Sequence, residues 1–377
     1  MSLNIRPTLQ FLLKLKLIKI MKYAFLVIGL VLSISQVFGQ RTMGQSEPTE
    51  PQPIELSEVH EMVKNLADSI AVNYIDGKKA PILKEKLLTE LKEGNLDSFT
   101  EKQALAKHLS EILKTWSNDK HFSIALAGQR QMIPKSYDHF ANQNYFFEKM
   151  EHLKGNIAYV KFNRFIPPAN AGSLVVSAML FAANSDAVII DLRNNMGGAP
   201  QTVSLLAGFF MEKPTLLDIN EIRSTGDKYE TWSAETNVII NSSNLTIPTF
   251  DLEKLKKLPL YILTSDYTFS AAEMFSSSLQ GHNRATLVGE TTGGGAHGIR
   301  PFSISQGFTA FIPFARHYHP LTKKCWEVVG VQPDIPCAAA DALRIAQINI
   351  LKDLQNKPDH DTIITEYLKE LEIETKE

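Results

Sequence analysis

Cysteine is scarce in this 377-residue chain: only Cys325 and Cys337 are present. That excludes a cysteine-rich zinc module and a disulfide-dense scaffold. Basic excess is missing as well, since 39 Lys and Arg stand against 41 Asp and Glu for a formal charge of −2. Nothing therefore neutralises a phosphate backbone, and nucleic acid is not an expected partner. With 20 Gly and 18 Pro and no compositional bias, collagenous and disordered classes are excluded too. The longest apolar run, Ala24 to Leu32, is too short to span a bilayer. What remains is a chain with 44% hydrophobic residues and length enough for two or three domains.

Lys22, the run Ala24–Leu32, Ser33, Ser35 and the small Gly39 follow the layout of a secretory signal, cleaved after Gly39. Translation starts at either Met1 or Met21, and an uncleaved anchor is the alternative reading of the leader. Residues 1–39 carry five basic side chains and no acid, which leaves −7 on the mature chain. The expected protein is exported, to a periplasmic or extracellular compartment, with no stable membrane span after cleavage. A polar, proline-rich linker covers 40–55.

Apolar residues at helical spacing (Leu56, Val59, Met62, Val63, Leu66, Ile70, and again Leu105, Leu109, Ile112, Leu113) predict a small helical bundle over 56–125. A third helix is expected near Ala80–Leu91, and Thr100 with Gln103 reads as a capping box. From there the texture turns to short β-type runs at Ile157–Phe162, Ala187–Leu192, Leu260–Thr264, Ala285–Val288 and Phe308–Phe314. With helical segments between them they predict an α/β core over 140–340, followed by a helical tail over 341–377.

Two strand ends carry candidate chemistry. The run Ala187–Leu192 enters a polar turn ending at Gly197 and Gly198. It is either a tight turn or a stretch of uncovered N–H groups able to bind an oxyanion. Ser270 opens a helix after the strand Leu260–Thr264. It is either an N-cap or a hydroxyl held at the positive end of a helix dipole, with Ala271 and Ala272 leaving access.

These two segments, with Val288–Gly295 and Gly330–Ile335, resemble the signature blocks of the tail-specific, or C-terminal processing, serine peptidases over roughly 150–340. The lysine that serves as base in one branch falls 25 positions after the nucleophile, where this chain has Gly295. The Asp119–His121 block instead resembles the branch that includes the tricorn core protease and the interphotoreceptor retinoid-binding protein modules. That likeness implies a ClpP/crotonase-like ββα core behind an N-terminal helical bundle, with no room between Ile124 and Asn156 for a PDZ domain. It also implies a site with Ser270 as nucleophile, His121 as base, Glu327 in support, and oxyanion donors at Ala271 and at Gly197 or Gly198. The implied activity is an exported serine peptidase acting on a peptide or protein substrate through an acyl-enzyme.

The residues leave alternatives. His121 has a second reading as a helix-end histidine and Glu327 as a surface acid, while His297 is a second candidate for the pocket or the base. His317 and His319 alternate but lack a third ligand, so no metal and no cofactor is implied. Cys325 and Cys337 form either a bridge that pins the loop of Glu327 or two separate thiols. Phe209, Phe210 and Phe302 line a pocket or pack the core. The other functions weighed are a carrier of hydrophobic ligands on the same fold and acyl-thioester chemistry, which fold kinship alone does not support.

Overall fold

A computed structural model describes residues 51–126, 138–236, 252–356 and 362–373. The leader over 1–39 and most of the linker over 40–55 lie outside the described residues.

Three helices come first: α1 (Leu56–Asn73), α2 (Lys79–Lys92) and α3 (Lys102–Ser117). Their apolar stripes meet in one core, where Val59, Leu66, Ile70, Leu83, Leu105 and Leu109 are fully or almost fully buried. The start of α3 differs from expectation. Glu101, not Thr100, is its N-cap, and no side chain caps it. The Thr100 carbonyl accepts the Ile54 N–H at 3.0 Å, and Gln103 Oε1 accepts the Gln52 N–H at 3.1 Å. Both expected capping groups are thus engaged by the incoming chain.

Two sheets follow. The first is mixed: β2 (Phe147–Leu153) lies antiparallel at one edge, and β3 (Ile157–Phe162), β4 (Ala187–Asp191), β7 (Leu260–Thr264), β8 (Thr286–Gly289) and β11 (Ile335–Pro336) run parallel. Its order is β11-β8-β7-β4-β3-β2. The second is antiparallel and centres on β10 (Phe308–Tyr318), which pairs with β1 (Ser123–Leu126), β5 (Leu216–Ile222) and β9 (His297–Ser303); β6 (Lys228–Trp232) pairs with β5.

Alternation along β4 decides how the parallel sheet is covered. Val188 and Ile190 face α4 (Pro168–Ala182), α5 (Pro200–Gly208) and α6 (Ala271–Gly281), packing with Val175, Val203 and Phe275. Ile189 faces the opposite way, onto Ala346, Ile350 and Leu351 of α7 (Ala342–Gln355). A strand buried on both faces reads as an unbroken apolar run, which is why β3, β4 and β7 were legible. The tail is therefore more than a surface appendage: α7 covers one whole face, and α8 (Ile363–Ile373) adds Ile364 and Leu368 to that core.

Candidate active site

The carboxyl ends of β4 and β7 are sewn together. The Phe269 N–H donates to the Asn195 carbonyl at 3.0 Å, and the Thr268 hydroxyl donates to the Leu192 carbonyl at 2.9 Å. Crevices at the carboxyl ends of parallel strands are where open α/β sheets place ligands. Here the stitching brings Gly197 against Ser270.

Ser270 caps α6 with φ 55° and ψ −119°, a conformation rare for a side-chain-bearing residue. Such strain persists only where the surroundings enforce it. Glu273 enforces it: its Oε2 accepts the Ser270 N–H at 2.8 Å. The same buried carboxylate accepts the N–H of Gly294 at 2.7 Å, the N–H of Gly295 at 2.8 Å and the Thr292 hydroxyl. Burial pushes its pKa up and these donors work in the opposite direction, with a net rise. Glu273 thus ties the serine turn to the glycine-rich loop. Its pattern, a serine followed three residues later by glutamate, is a capping signature visible in the sequence.

The two turn glycines have different jobs. At Gly197 an added Cβ would fall 2.7 Å from the Ala271 nitrogen and 2.8 Å from Ser270 Cβ, so only glycine lets this backbone touch the serine turn. Its N–H donates to Asn195 Oδ1 at 2.8 Å, which leaves it engaged. Of the two glycines expected as oxyanion donors, Gly198 is the one whose N–H finds no protein acceptor among the described residues. The Ala271 N–H, at the start of α6, is uncommitted in the same way.

His121 arrives from the helical region. Asn118 ends α3 in the left-handed conformation at φ 55° and turns the chain, and Phe122 anchors the next residue in the core. His121 is no solvent-facing helix-end residue, since its side chain is 8% exposed. Its Nδ1 lies 3.0 Å from Asp119 Oδ1 and 3.8 Å from Glu327 Oε1. A carboxylate only accepts, so Nδ1 carries the proton and Nε2 the lone pair. That Nε2 is buried and unpartnered among the described residues. Burial works to lower the imidazole pKa, but Asp119, Glu327 and Glu273 outweigh it and the value is raised.

Two carboxylates face this ring, and only one is hydrogen-bonded to it. Asp119, two residues earlier on the same turn, is the hydrogen-bonded partner. Glu327 instead accepts the N–H of Ala296 at 2.6 Å and of His297 at 3.0 Å through Oε2. It is nonetheless no surface acid, being 11% exposed. Burial, opposed by His297 and His121, holds Glu327 above the usual carboxylate range. His297 joins the cluster, its Nδ1 lying 2.7 Å from Asp119 Oδ2.

Ser270, Ala271, His121, His297 and Gly198 line one cavity of about 790 Å³. Its apolar wall comes from Phe140, Phe146, Phe165, Met274 and Trp326. Phe209 and Phe210 pack in the main core and Phe302 against the helical core, so none of the three supplies that wall. At Gly295, where the lysine branch would have its base, a Cβ would meet Phe269 Cζ at 2.1 Å. Phe269 occupies that space and sets its ring 5.3 Å from that of His121.

Cys325 and Cys337 are both free, which removes the bridge. The Glu327 loop is pinned instead by Val328 donating to the Gly294 carbonyl at 2.9 Å and by Trp326 Nε1 donating to the Gly295 carbonyl at 3.2 Å. His317 and His319 do not share a face, because β10 ends between them at Tyr318. His317 pairs with Asp218 at 2.6 Å, and His319 is buried against Gly281.

Residues 156–337 match the model of Peptidase family S41. That stretch is similar to the family over a little under half of the chain. It is 31% identical over 183 residues to carboxyl-terminal-processing peptidase 2, chloroplastic, of Arabidopsis thaliana, a match covering 48% of this chain and 32% of the relative. It is 26% identical over 194 residues to the carboxyl-terminal-processing protease of Picosynechococcus sp., covering 51% and 42%. The chain thus spans less than half the length of the curated relatives it matches. Among solved structures, a lipoprotein from Streptococcus agalactiae aligns with a TM-score of 0.53 at 16% identity, over 78% of this chain and 97% of that one. That likeness is one of fold. The S41 match coincides with the parallel sheet and the serine turn, in keeping with the α/β reading.

Proposed function

We propose that this chain is a serine peptidase in which Ser270 is the nucleophile and His121 the general base. Ser270 Oγ attacks the carbonyl carbon, and its proton passes to His121 Nε2 as the C–O bond forms. Charge gathers on the carbonyl oxygen, where the N–H groups of Ala271 and Gly198 receive it; each such donor contributes about 3–4 kcal/mol in related sites. Collapse of the tetrahedral species breaks the C–N bond while His121 returns the proton to the leaving amine. Water then repeats the sequence on the acyl-enzyme and releases the acid. Asp119 holds the imidazole in the productive tautomer, and Glu327 fixes the strand that carries His297.

One observation carries this reading: His121, whose Nε2 has no partner among the described residues, borders the same cavity as Ser270 and the two residues with uncommitted backbone donors. The relatives' peptidase activity supports a peptide substrate over a lipid cargo. A secretory leader supports export, and among the described residues no helix is long and apolar enough to cross a membrane. An active-site fluorophosphonate is expected to label the wild type and spare Ser270→Ala and His121→Ala, with casein cleavage lost in the same variants. A well-folded wild type that neither labels nor cleaves would overturn the proposal.

A further inference from the structure

Four side chains beside the nucleophile, Asp119, His121, His297 and Glu327, bring their ligand atoms within 4.8 Å of one another. The detailed geometry is more specific than proximity. The two imidazoles present the same atom, Nδ1, to different oxygens of Asp119, at 3.0 and 2.7 Å, and both Nδ1 atoms lie 3.8 and 3.7 Å from Glu327. Zinc–ligand bonds of about 2.0–2.2 Å give tetrahedral edges of about 3.4 Å between neighbouring ligand atoms. The separations, each Nδ1 facing a different oxygen of Asp119 and of Glu327, run from 2.7 to 3.8 Å, and with one atom taken from each residue all four lie within 4.8 Å, so a small contraction of the cluster reaches that edge. Two neutral imidazoles with two carboxylates carry two negative charges, which match a dication, and the mixed N/O set suits zinc better than calcium or magnesium.

We infer that this cluster is an inhibitory zinc site built into the catalytic machinery. Zinc would bind Nδ1 of His121 and His297 and one oxygen each of Asp119 and Glu327. A neutral imidazole has a single N–H, so metal at Nδ1 moves that proton to Nε2. The lone pair that would accept the Ser270 proton is then consumed, and Asp119 can no longer orient the ring. Metal occupancy and general-base catalysis exclude each other at His121.

Binding itself does not depend on the peptidase reading; only its inhibitory consequence does. The test therefore starts with metal-stripped Ser270→Ala titrated with Co²⁺. One equivalent is expected to bind with the intense visible bands of a tetrahedral centre, and stoichiometric Zn²⁺ should bleach them. His297→Gln and Asp119→Asn, each checked for a native circular-dichroism spectrum, should weaken binding about 100-fold or more, beyond what loss of an outer-shell partner produces. In the wild type, micromolar Zn²⁺ should slow fluorophosphonate labelling and a chelator restore it. No bound Co²⁺, or an affinity unchanged in both variants, would overturn the inference. Failure of labelling without metal would count against the peptidase reading and leave the Co²⁺ result standing on its own.

Discussion

Asp119 and His297 sit 178 positions apart in the chain, yet Asp119 Oδ2 and His297 Nδ1 are 2.7 Å apart. The other oxygen of the same carboxylate faces His121 Nδ1 at 3.0 Å. One buried acid thereby fixes two imidazoles contributed by different structural regions: the turn after α3 and the start of β9. Joining these regions brings both imidazoles to the cavity that Ser270 lines; neither could supply the pair alone.

If Asp119 sets the tautomer of His121, then Asp119→Asn must be costly even with the fold intact. An amide nitrogen facing Nδ1 would drive the proton to Nε2 and leave no base. We expect kcat to fall by about 10³- to 10⁴-fold with KM changed little, by the logic of the Ser-His-Asp triad. The pH profile provides a second readout. In the wild type the activity, which requires neutral His121, should rise with pH through a value above the ordinary histidine pKa. Without the Asp119 charge, burial dominates, and the acid limb of residual kcat/KM should move to lower pH.

Stability should carry the same signature. Burial works against ionised Asp119, but hydrogen bonds from His121 and His297 prevail and hold its pKa well below the usual carboxylate range. A depressed carboxylate pKa stabilises the fold above its unfolded value and loses that contribution as pH falls. His121, raised, contributes below its own unfolded value and loses that as pH rises through the folded one. The gap in Tm between wild type and Asp119→Asn should be widest between about pH 4 and pH 6.5 and narrow on both sides. A gap that does not vary with pH would refute the coupling.

Much of this was legible in the sequence because of burial. Strands β3, β4 and β7, covered on both faces, appear as plain apolar runs, and the helical stripes of α1 and α3 pack as spaced. Among the strands missed, β6 is mostly exposed, and β9 contains Gly298 and Pro301. At the site, Ser270 and Gly198 stand out in the sequence because they lie in the turns that follow apolar strands. Asp119 was seen only as part of a motif, and its partnership with two imidazoles needs the left-handed turn at Asn118 and the pairing of β9 with β10. Tertiary geometry, not local propensity, makes it the hydrogen-bonded partner of both rings.

Glu273 offers a sharp test of how the serine turn is held. Each of its oxygens accepts two donors, Thr292 and Gly294 on one, Ser270 and Gly295 on the other. In Glu273→Gln one oxygen becomes an amide nitrogen that opposes two of those donors. Unsatisfied buried groups cost about 1–3 kcal/mol each, so a loss of about 2 kcal/mol or more is expected in denaturant unfolding. Activity should fall too, because the Ser270 backbone is no longer clamped. Wild-type stability in this variant would show that the carboxylate charge is dispensable.

The absent disulfide makes a simpler prediction. Cys325 packs beside the main core and Cys337 beside the α7 face, with both thiols pushed up in pKa by burial. Thiol titration of unfolded protein should find two free groups, and dithiothreitol should leave Tm unchanged. Were a bridge present, reduction would remove its loop-closure contribution of about 2–4 kcal/mol and lower Tm by several degrees.

Gly198 provides the most direct test of where negative charge develops. Its φ is 142°, and an added Cβ would fall 2.2 Å from the Phe165 carbonyl oxygen, which itself accepts the Ala199 N–H at 2.6 Å. Gly198→Ala must therefore push the backbone away from Phe165 and swing the Gly198 N–H out of the cavity. Loss of one oxyanion donor lowers kcat by about 10²- to 10³-fold while substrate binding persists. The same substitution at Gly307, where no atom lies within 4 Å but φ is 77°, imposes backbone strain far from the site and serves as the control. If Gly198→Ala loses no more activity than Gly307→Ala, the second donor lies elsewhere, and the Gly197 N–H, released from Asn195, becomes the group to test.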